Sequence, residues 1–335
     1  MLEIQSPYVI SYLQRKSSDD IAHADLLWKY HMQSERYHDA AAVQLALAKS
    51  AFTLTLDRRI EYLSRAKANA STPVLGGSRQ TRQVLLREVS DLLDVANIQD
   101  DVLQRLKADE RVTAQRRPEV IKALNGQIIS VTQLYNDYAD QAGYFDICVL
   151  IYQAADHRNP SDIKMTWQNL LERVHEEAAD RGEPLPYEAI SEKVRSLGNR
   201  LNLSESMFPI PDLVPMLKRY AYEFQNNVGP ETWVMDTFID VQVPYESLVS
   251  VLEGMFYNEE APFQGRNRRY IANDLIYVIS LWFRETSRGA EAVFGGESNA
   301  EGVSQLLQVL MQCGLDEQRT QQCQALRLRI EHTLR

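Results

Sequence analysis

Cysteine is scarce in this chain of 335 residues: Cys148, Cys313 and Cys323 are odd in number and none stands in a Cys-x-x-Cys spacing. That excludes a disulfide framework and a cysteine-built zinc site, and it is the usage of a reducing compartment. The first residues, Met-Leu-Glu-Ile-Gln-Ser-Pro, lack the basic start and apolar stretch of a secretory signal, so an intracellular site of action is expected. Long hydrophobic runs are missing too. The nearest, Ile271 to Phe283, is interrupted by Asn273, Asp274 and Ser280, well short of the ~18 apolar residues a membrane span needs. Positive charge is in deficit, with 36 Lys and Arg against 46 Asp and Glu and a net charge of -10. Such a chain repels a phosphate backbone, and Arg266, Arg268 and Arg269 form one short basic cluster, so no nucleic-acid partner is expected.

Catalytic motifs are equally absent. His175-Glu176-Glu177-Ala178-Ala179 begins like a zinc-protease helix but has no second histidine four residues on. His31 and His38 flank a predicted loop, where an interhelical hydrogen bond explains them better than a metal. Gly76-Gly77-Ser78 lacks the lysine of a nucleotide-binding loop and reads as a hinge, and no Gly-x-Ser-x-Gly elbow occurs. The neighbouring carboxylates Asp100 and Asp101, Glu176 and Glu177, and Glu259 and Glu260 diverge on a helix. No catalytic, cofactor or metal-binding residue is assigned, and an enzyme is not expected.

What is present is helix after helix. With 44% apolar and 24% charged residues the chain can bury a large core. Apolar residues recur on a 3.6-residue period, and no alternating β-branched run argues for a strand. Between Asp25 and Ala70 three amphipathic helices follow one another, none able to bury its stripe alone. Ser17 with Asp20 resembles a capping box for a helix over Ile21 to Met32. The longest helix is predicted over Ser78 to Lys107, with a seam of Leu85, Val89, Leu92, Ala96, Leu103 and Leu106 and a polar gap at Gln99. Pro160-Ser161-Asp162 opens a helix to about Ala179, and Gly229-Pro230-Glu231 reads as a stop and a fresh start. Further helices are predicted over 131–141, 144–155, 186–202, 212–227, 231–239, 245–257, 267–288, 301–313 and 317–334, with linkers at 181–186, 257–266 and 287–297. The fold class is all-α, an elongated, irregular α-solenoid of stacked antiparallel helical hairpins, read as one domain over residues 1–335.

A stack of this kind works through its surfaces. Sixteen Tyr, nine Phe and four Trp supply anchors. Phe208 and Ile210, in the Met207-Phe208-Pro209-Ile210-Pro211 run, and Phe263, after Ala261-Pro262, sit in predicted loops and are the candidate exposed partner-binding residues. Trp28, in the first helix pair, is the fourth, as core or as groove. An apolar groove between neighbouring helices would accept a short peptide.

Leu27-Trp28-Lys29-Tyr30-His31, Glu35-Arg36-Tyr37, Ala48-Lys49-Ser50 and the run from Arg59 to Asn69 resemble the large scaffold nucleoporins of the nuclear pore inner ring. The likeness continues through Leu134 to Ala139, Asp156 with Pro160, Thr166-Trp167-Gln168 and Val228 to Val234, and so covers nearly the whole chain. Members of that family join an N-terminal β-propeller to a C-terminal α-solenoid, and the resemblance is to the last part of the solenoid, without the propeller. It implies a scaffold at the nuclear pore complex of the nuclear envelope that docks short segments of flexible linker nucleoporins. A GLFG-type linker segment is the expected partner. An RRM-type linker and other inner-ring nucleoporins are secondary, and no direct membrane contact is expected. A soluble helical-repeat adaptor in transport or signalling is the alternative that shares the architecture.

Overall fold

The computed structural model describes residues 6–73, 79–224, 230–288 and 292–333. Among them there are helices and loops and no strand. They fall into two compact units, residues 1–157 and 158–335, each a run of stacked helical hairpins of the irregular solenoid type.

The first unit opens with α1 (Pro7–Lys16), a helix the periodicity did not announce. Ser17 caps its C-terminus, and Asp20 alone caps α2 (Ile21–Gln33) by accepting the Ala22 N–H, so the expected capping box is instead two separate caps. α3 (Tyr37–Lys49) packs on α2 and on α4 (Leu56–Ser71), and α4 reaches α2 through its side chains, the Tyr62 hydroxyl donating to Asp25. The α3–α4 junction is held by Arg59, whose buried guanidinium donates to the carbonyls of Ala48, Ser50 and Phe52 at 2.7–2.9 Å. One side chain thus satisfies the Ala48 carbonyl at the end of α3, which the helix itself leaves without a donor, together with the carbonyls of Ser50 and Phe52 in the turn that follows. Gln44 accepts from Asn69 at 2.9 Å, a second buried polar tie between α3 and α4.

α5 (Arg79–Ala108) is the long helix, ~45 Å at 1.5 Å per residue. Its buried seam takes Leu93 rather than Leu92. Gln99, the expected polar gap, is wholly buried. It donates to the carbonyls of Leu124 and Gln127 and accepts the Ile129 N–H at 2.7–2.9 Å. That bonding ties the end of α6 (Arg117–Leu124), also unannounced, to α5. One continuous helix follows, with α7 (Val131–Gln133) and α8 (Asp140–Ala142) flanking a π-helical stretch at Leu134–Ala139. α9 (Phe145–Ala154) closes the unit.

In the second unit, α10 (Pro160–Asp180) is capped by Asn159, and α11 (Pro186–Arg200) packs along it. α12 (Ile210–Phe224), α13 (Trp233–Asp240), α14 (Tyr245–Asn258) and α15 (Arg268–Thr286) complete the body, followed by α16 (Glu297–Leu310) and α17 (Glu317–Thr333). The core here is aromatic. Trp167 is fully buried, donates to the Met207 carbonyl at 2.8 Å and meets Phe208 edge-on at 5.7 Å, and Phe208 in turn meets Phe238 at 6.1 Å. Phe208 is 1% exposed, which corrects its expected place as a surface anchor. The segment after α11 turns under α10, and Gly198 makes room: a Cβ there would stand 3.1 Å from the Phe208 ring. The Gly76-Gly77 hinge and the Gly229 stop lie outside the described residues.

Candidate partner-binding cleft

α12 carries Pro215 in its interior. Proline has no N–H, so the i→i−4 bond to the Pro211 carbonyl is missing and the ladder is open at that point. α14, packed against α12, carries Gly254 in its interior, and a Cβ added there would meet nothing within 4 Å. A helix-interior proline on one helix and an unfilled glycine on its neighbour together leave a cleft of about 440 Å³. Its apolar lining is Pro211, Pro215, Met216, Val251, Met255 and Phe263. Two ion pairs stand among its polar lining residues, Lys164 with Asp212 at 2.7 Å and Arg219 with Glu260 at 2.9 Å. Two unbranched thioethers in the lining can repack around different apolar side chains.

The predicted anchors fall differently from expectation. Phe263 is 3% exposed, so it too is corrected from an exposed residue to a buried one, and it belongs to the wall of the cleft rather than to a projecting loop. Its ring meets Tyr222 edge-on at 5.8 Å. Ile210 is half-buried as the first residue of α12, next to Pro211 of the cleft. Trp28 is 8% exposed and belongs to the first unit, where its indole N–H donates to Asp25 at 2.9 Å. Asp25 also accepts from Tyr62 at 2.8 Å, so the ring is part of the α2–α4 packing. Of the four candidates, only Phe263 lines this cleft. The residues that shape it, Pro215, Met216, Gly254 and Met255, went unnoticed: Gly254 sits in a predicted helix interior, where glycine is costly, whereas Pro215 falls in the first turn of the predicted 212–227 helix and becomes interior only because α12 starts at Ile210.

Histidine chemistry does not emerge. His31 is buried, and burial holds its imidazole below the usual value. His175 shares a hydrogen bond with the Tyr220 hydroxyl at 2.8 Å. Among the described residues no group of three His, Cys, Asp or Glu side chains could hold a metal, and no helix is long and apolar enough to cross a membrane. Cys148 is buried, and its thiol is pushed up to about 12 by that burial, the opposite of a reactive cysteine.

Comparison with known proteins places the chain. Residues 1–322 match the family described as the non-repetitive/WGA-negative nucleoporin C-terminal. The chain belongs to that family. It is 39% identical over 331 residues to nucleoporin NUP170 of Chaetomium thermophilum, and 37% identical over 295 residues to a probable nucleoporin of Schizosaccharomyces pombe. These matches cover 90% and 87% of the chain but 23% and 22% of the relatives, so the chain spans under a quarter of their length. Among solved structures, that of the Chaetomium thermophilum Nup170 CTD in complex with Nup145N matches with a TM-score of 0.85 at 37% identity, over 99% of this chain and 67% of that one. The nucleoporin relationship puts the chain at the nuclear pore complex of the nuclear envelope.

Proposed function

We propose that this nucleoporin chain is a non-enzymatic scaffold segment that docks a short linear stretch of a GLFG-type linker nucleoporin in the cleft between α12 and α14. The observation that carries this reading is the cleft itself, where Pro215 and Gly254 open a space whose lining mixes Met216, Val251, Met255 and Phe263 with the Lys164–Asp212 and Arg219–Glu260 pairs. Apolar side chains interspersed with paired charges suit a peptide-anchor site, where one or two buried side chains supply most of the affinity. The relative's complex with Nup145N supports a nucleoporin segment as the occupant. Affinity from an apolar anchor depends weakly on salt, because the rim charges already neutralise one another.

The test is titration calorimetry of the chain against overlapping peptides from GLFG-type and RRM-type linkers at two salt concentrations. One GLFG-type segment is expected to bind at micromolar or better with little salt dependence, and Met216→Glu is expected to abolish that binding. Equal binding by the variant, or selection of an RRM-type segment instead, rejects the assignment.

A further inference from the structure

A second surface lies about 100° around α12 from the cleft, at the 3.6 residues per turn of an α-helix. Asp212, Pro215, Met216 and Arg219 turn toward the cleft, whereas Tyr220 and Phe224 belong to a chain of rings. Tyr187 meets Trp233 at a tilt at 5.3 Å, Trp233 meets Tyr220 at 6.2 Å, and Tyr220 meets Phe224 at 5.0 Å. His175 of α10 closes the cluster, 5.5 Å from Tyr220 and 4.6 Å from Phe224. The inner end is core, with Trp233 only 4% exposed, and the outer end is open, with Phe224 52% exposed. The hydrogen bond between His175 Nδ1 and the Tyr220 hydroxyl fixes the two rings that flank Phe224. A large ring is therefore held on the surface by ordered neighbours.

The exposed charge around it is mainly acidic. Glu172, Glu176 and Asp180 are exposed at i, i+4 and i+8 of α10 and so share one face, of which Glu172, one turn before His175, stands nearest the ring cluster. Glu223 is exposed beside Phe224. The cations of these elements are each paired with a carboxylate: Lys164 with Asp212, Arg173 with Glu177 on the flank of the stripe, Arg181 with Glu183, Arg219 with Glu260, and Lys218 with Asp274 in the interior. The result is an aromatic face whose π-electron density and neighbouring carboxylates both favour a cation.

We infer that this face, formed by α10 and α12, docks an arginine-bearing extended segment of a protein partner, with a guanidinium stacked on Phe224 and His175 and paired with carboxylates of the α10 stripe. Arginine suits the face better than lysine because its planar, weakly hydrated head stacks on rings and pairs with a carboxylate through two N–H groups at once. The surface is separate from the apolar cleft and stands whether or not the linker segment binds there.

The probe is the peptide acetyl-Gly-Arg-Gly-Arg-Gly-amide with a terminal fluorophore, titrated into the whole chain at low salt and followed by anisotropy, beside its lysine and citrulline counterparts. The arginine peptide is expected to bind at least about fivefold tighter than the lysine peptide, and the citrulline peptide not at all. Phe224→Ala, at an exposed ring, is expected to weaken the arginine peptide about tenfold and erase its advantage over lysine. Glu172→Gln with Glu176→Gln is expected to weaken it severalfold. Glu110→Gln with Glu119→Gln, at exposed carboxylates of the first unit, leaves it unchanged. Equal affinity for arginine and lysine, or an equal loss in the Glu110/Glu119 variant, would mean diffuse attraction to an acidic protein and overturns the proposal.

Discussion

In the first unit the buried polar side chains Arg59, Gln99, Gln44 and Asn69 tie helix ends and neighbouring helices together, Arg59 and Gln99 by bonding directly to backbone groups. In the second unit rings fill the interior, Trp167, Phe208, Phe238 and Phe256 among them, and the buried polar contacts include the Lys218–Asp274 pair and the Ser191–Thr237 bond. Directed bonds to carbonyls fix where each helix stops, because an orphan carbonyl accepts only from a donor at one place. Ring packing is less directional and tolerates a helix-interior proline or glycine without collapse of the stack. The cleft and the aromatic face both lie in the second unit, the one whose helices are held mainly by ring packing.

The largest test of that contrast is Phe208→Ala. Losing a fully buried ring that touches Trp167 and Phe238 is expected to cost about 3 to 5 kcal/mol in chemical denaturation. Hydrogen exchange should accelerate in residues 158–335 and leave residues 1–157 as they were. A variant of native stability would return Phe208 to the surface role its sequence setting suggested. Arg59→Met probes the other chemistry and is expected to cost about 3 kcal/mol, since three carbonyls lose a charged donor inside the protein. Its exchange signature should be confined to the end of α3 and the loop to α4. A spread across the whole first unit would mean that Arg59 supports the core rather than a junction.

The helices were legible because amphipathic periodicity is local, and nearly every predicted segment is found within a few residues of its place. What escaped depends on partners distant in sequence. Phe208 sits in a short run between Ser204-Glu205-Ser206 and the prolines Pro209 and Pro211, the composition of an exposed loop, and only tertiary packing buries it. One signal was present: Gly198, in the interior of α11, is where the Phe208 ring enters. Gln99 looked like a flaw in the α5 seam because its acceptors, Leu124 and Gln127, belong to a short helix and loop with too weak a period to be noticed. Gly198→Ala should cost about 1 to 3 kcal/mol, because the added methyl must push a buried ring. A neutral result would show the ring to be loosely held and weaken the case for a tight aromatic interior.

Acid should act on the first unit through Asp109. Its carboxylate is bonded by Arg111 at 2.7–3.1 Å and by the Tyr144 hydroxyl at 2.6 Å, joining the end of α5 to the start of α9. The Arg111 bonds, ahead of the Tyr144 bond, hold the Asp109 carboxyl well below its ordinary value of 3.8 against the opposing effect of burial. A depressed folded-state value means that the native form binds the proton less readily than the unfolded one. The stabilisation is therefore complete above about pH 4 and is lost as pH falls below that toward the folded value. Asp109→Asn should flatten this part of the acid dependence while changing stability less than Arg59→Met does. An unchanged acid limb in residues 1–157 would place the acid sensitivity on other carboxylates.

The smallest expected effect bears most directly on function. Gly254, unlike Gly198, has no neighbour where its Cβ would be, yet it sits in the interior of α14, where glycine costs roughly 0.5 to 1 kcal/mol relative to alanine. Gly254→Ala should therefore raise stability by about that amount, the reverse of Gly198→Ala, although both add one methyl to a helix of the same unit. Gly254→Leu extends the logic: the larger side chain enters the cleft lined by Met216 and Met255, so linker-peptide affinity should fall at least about tenfold while the denaturation midpoint holds. Stability and binding then move independently at one residue, which a purely architectural glycine would not permit. If Gly254→Leu binds the peptide as the wild type does, the cleft is not the docking site, and the opening between α12 and α14 is a packing defect tolerated by an aromatic core.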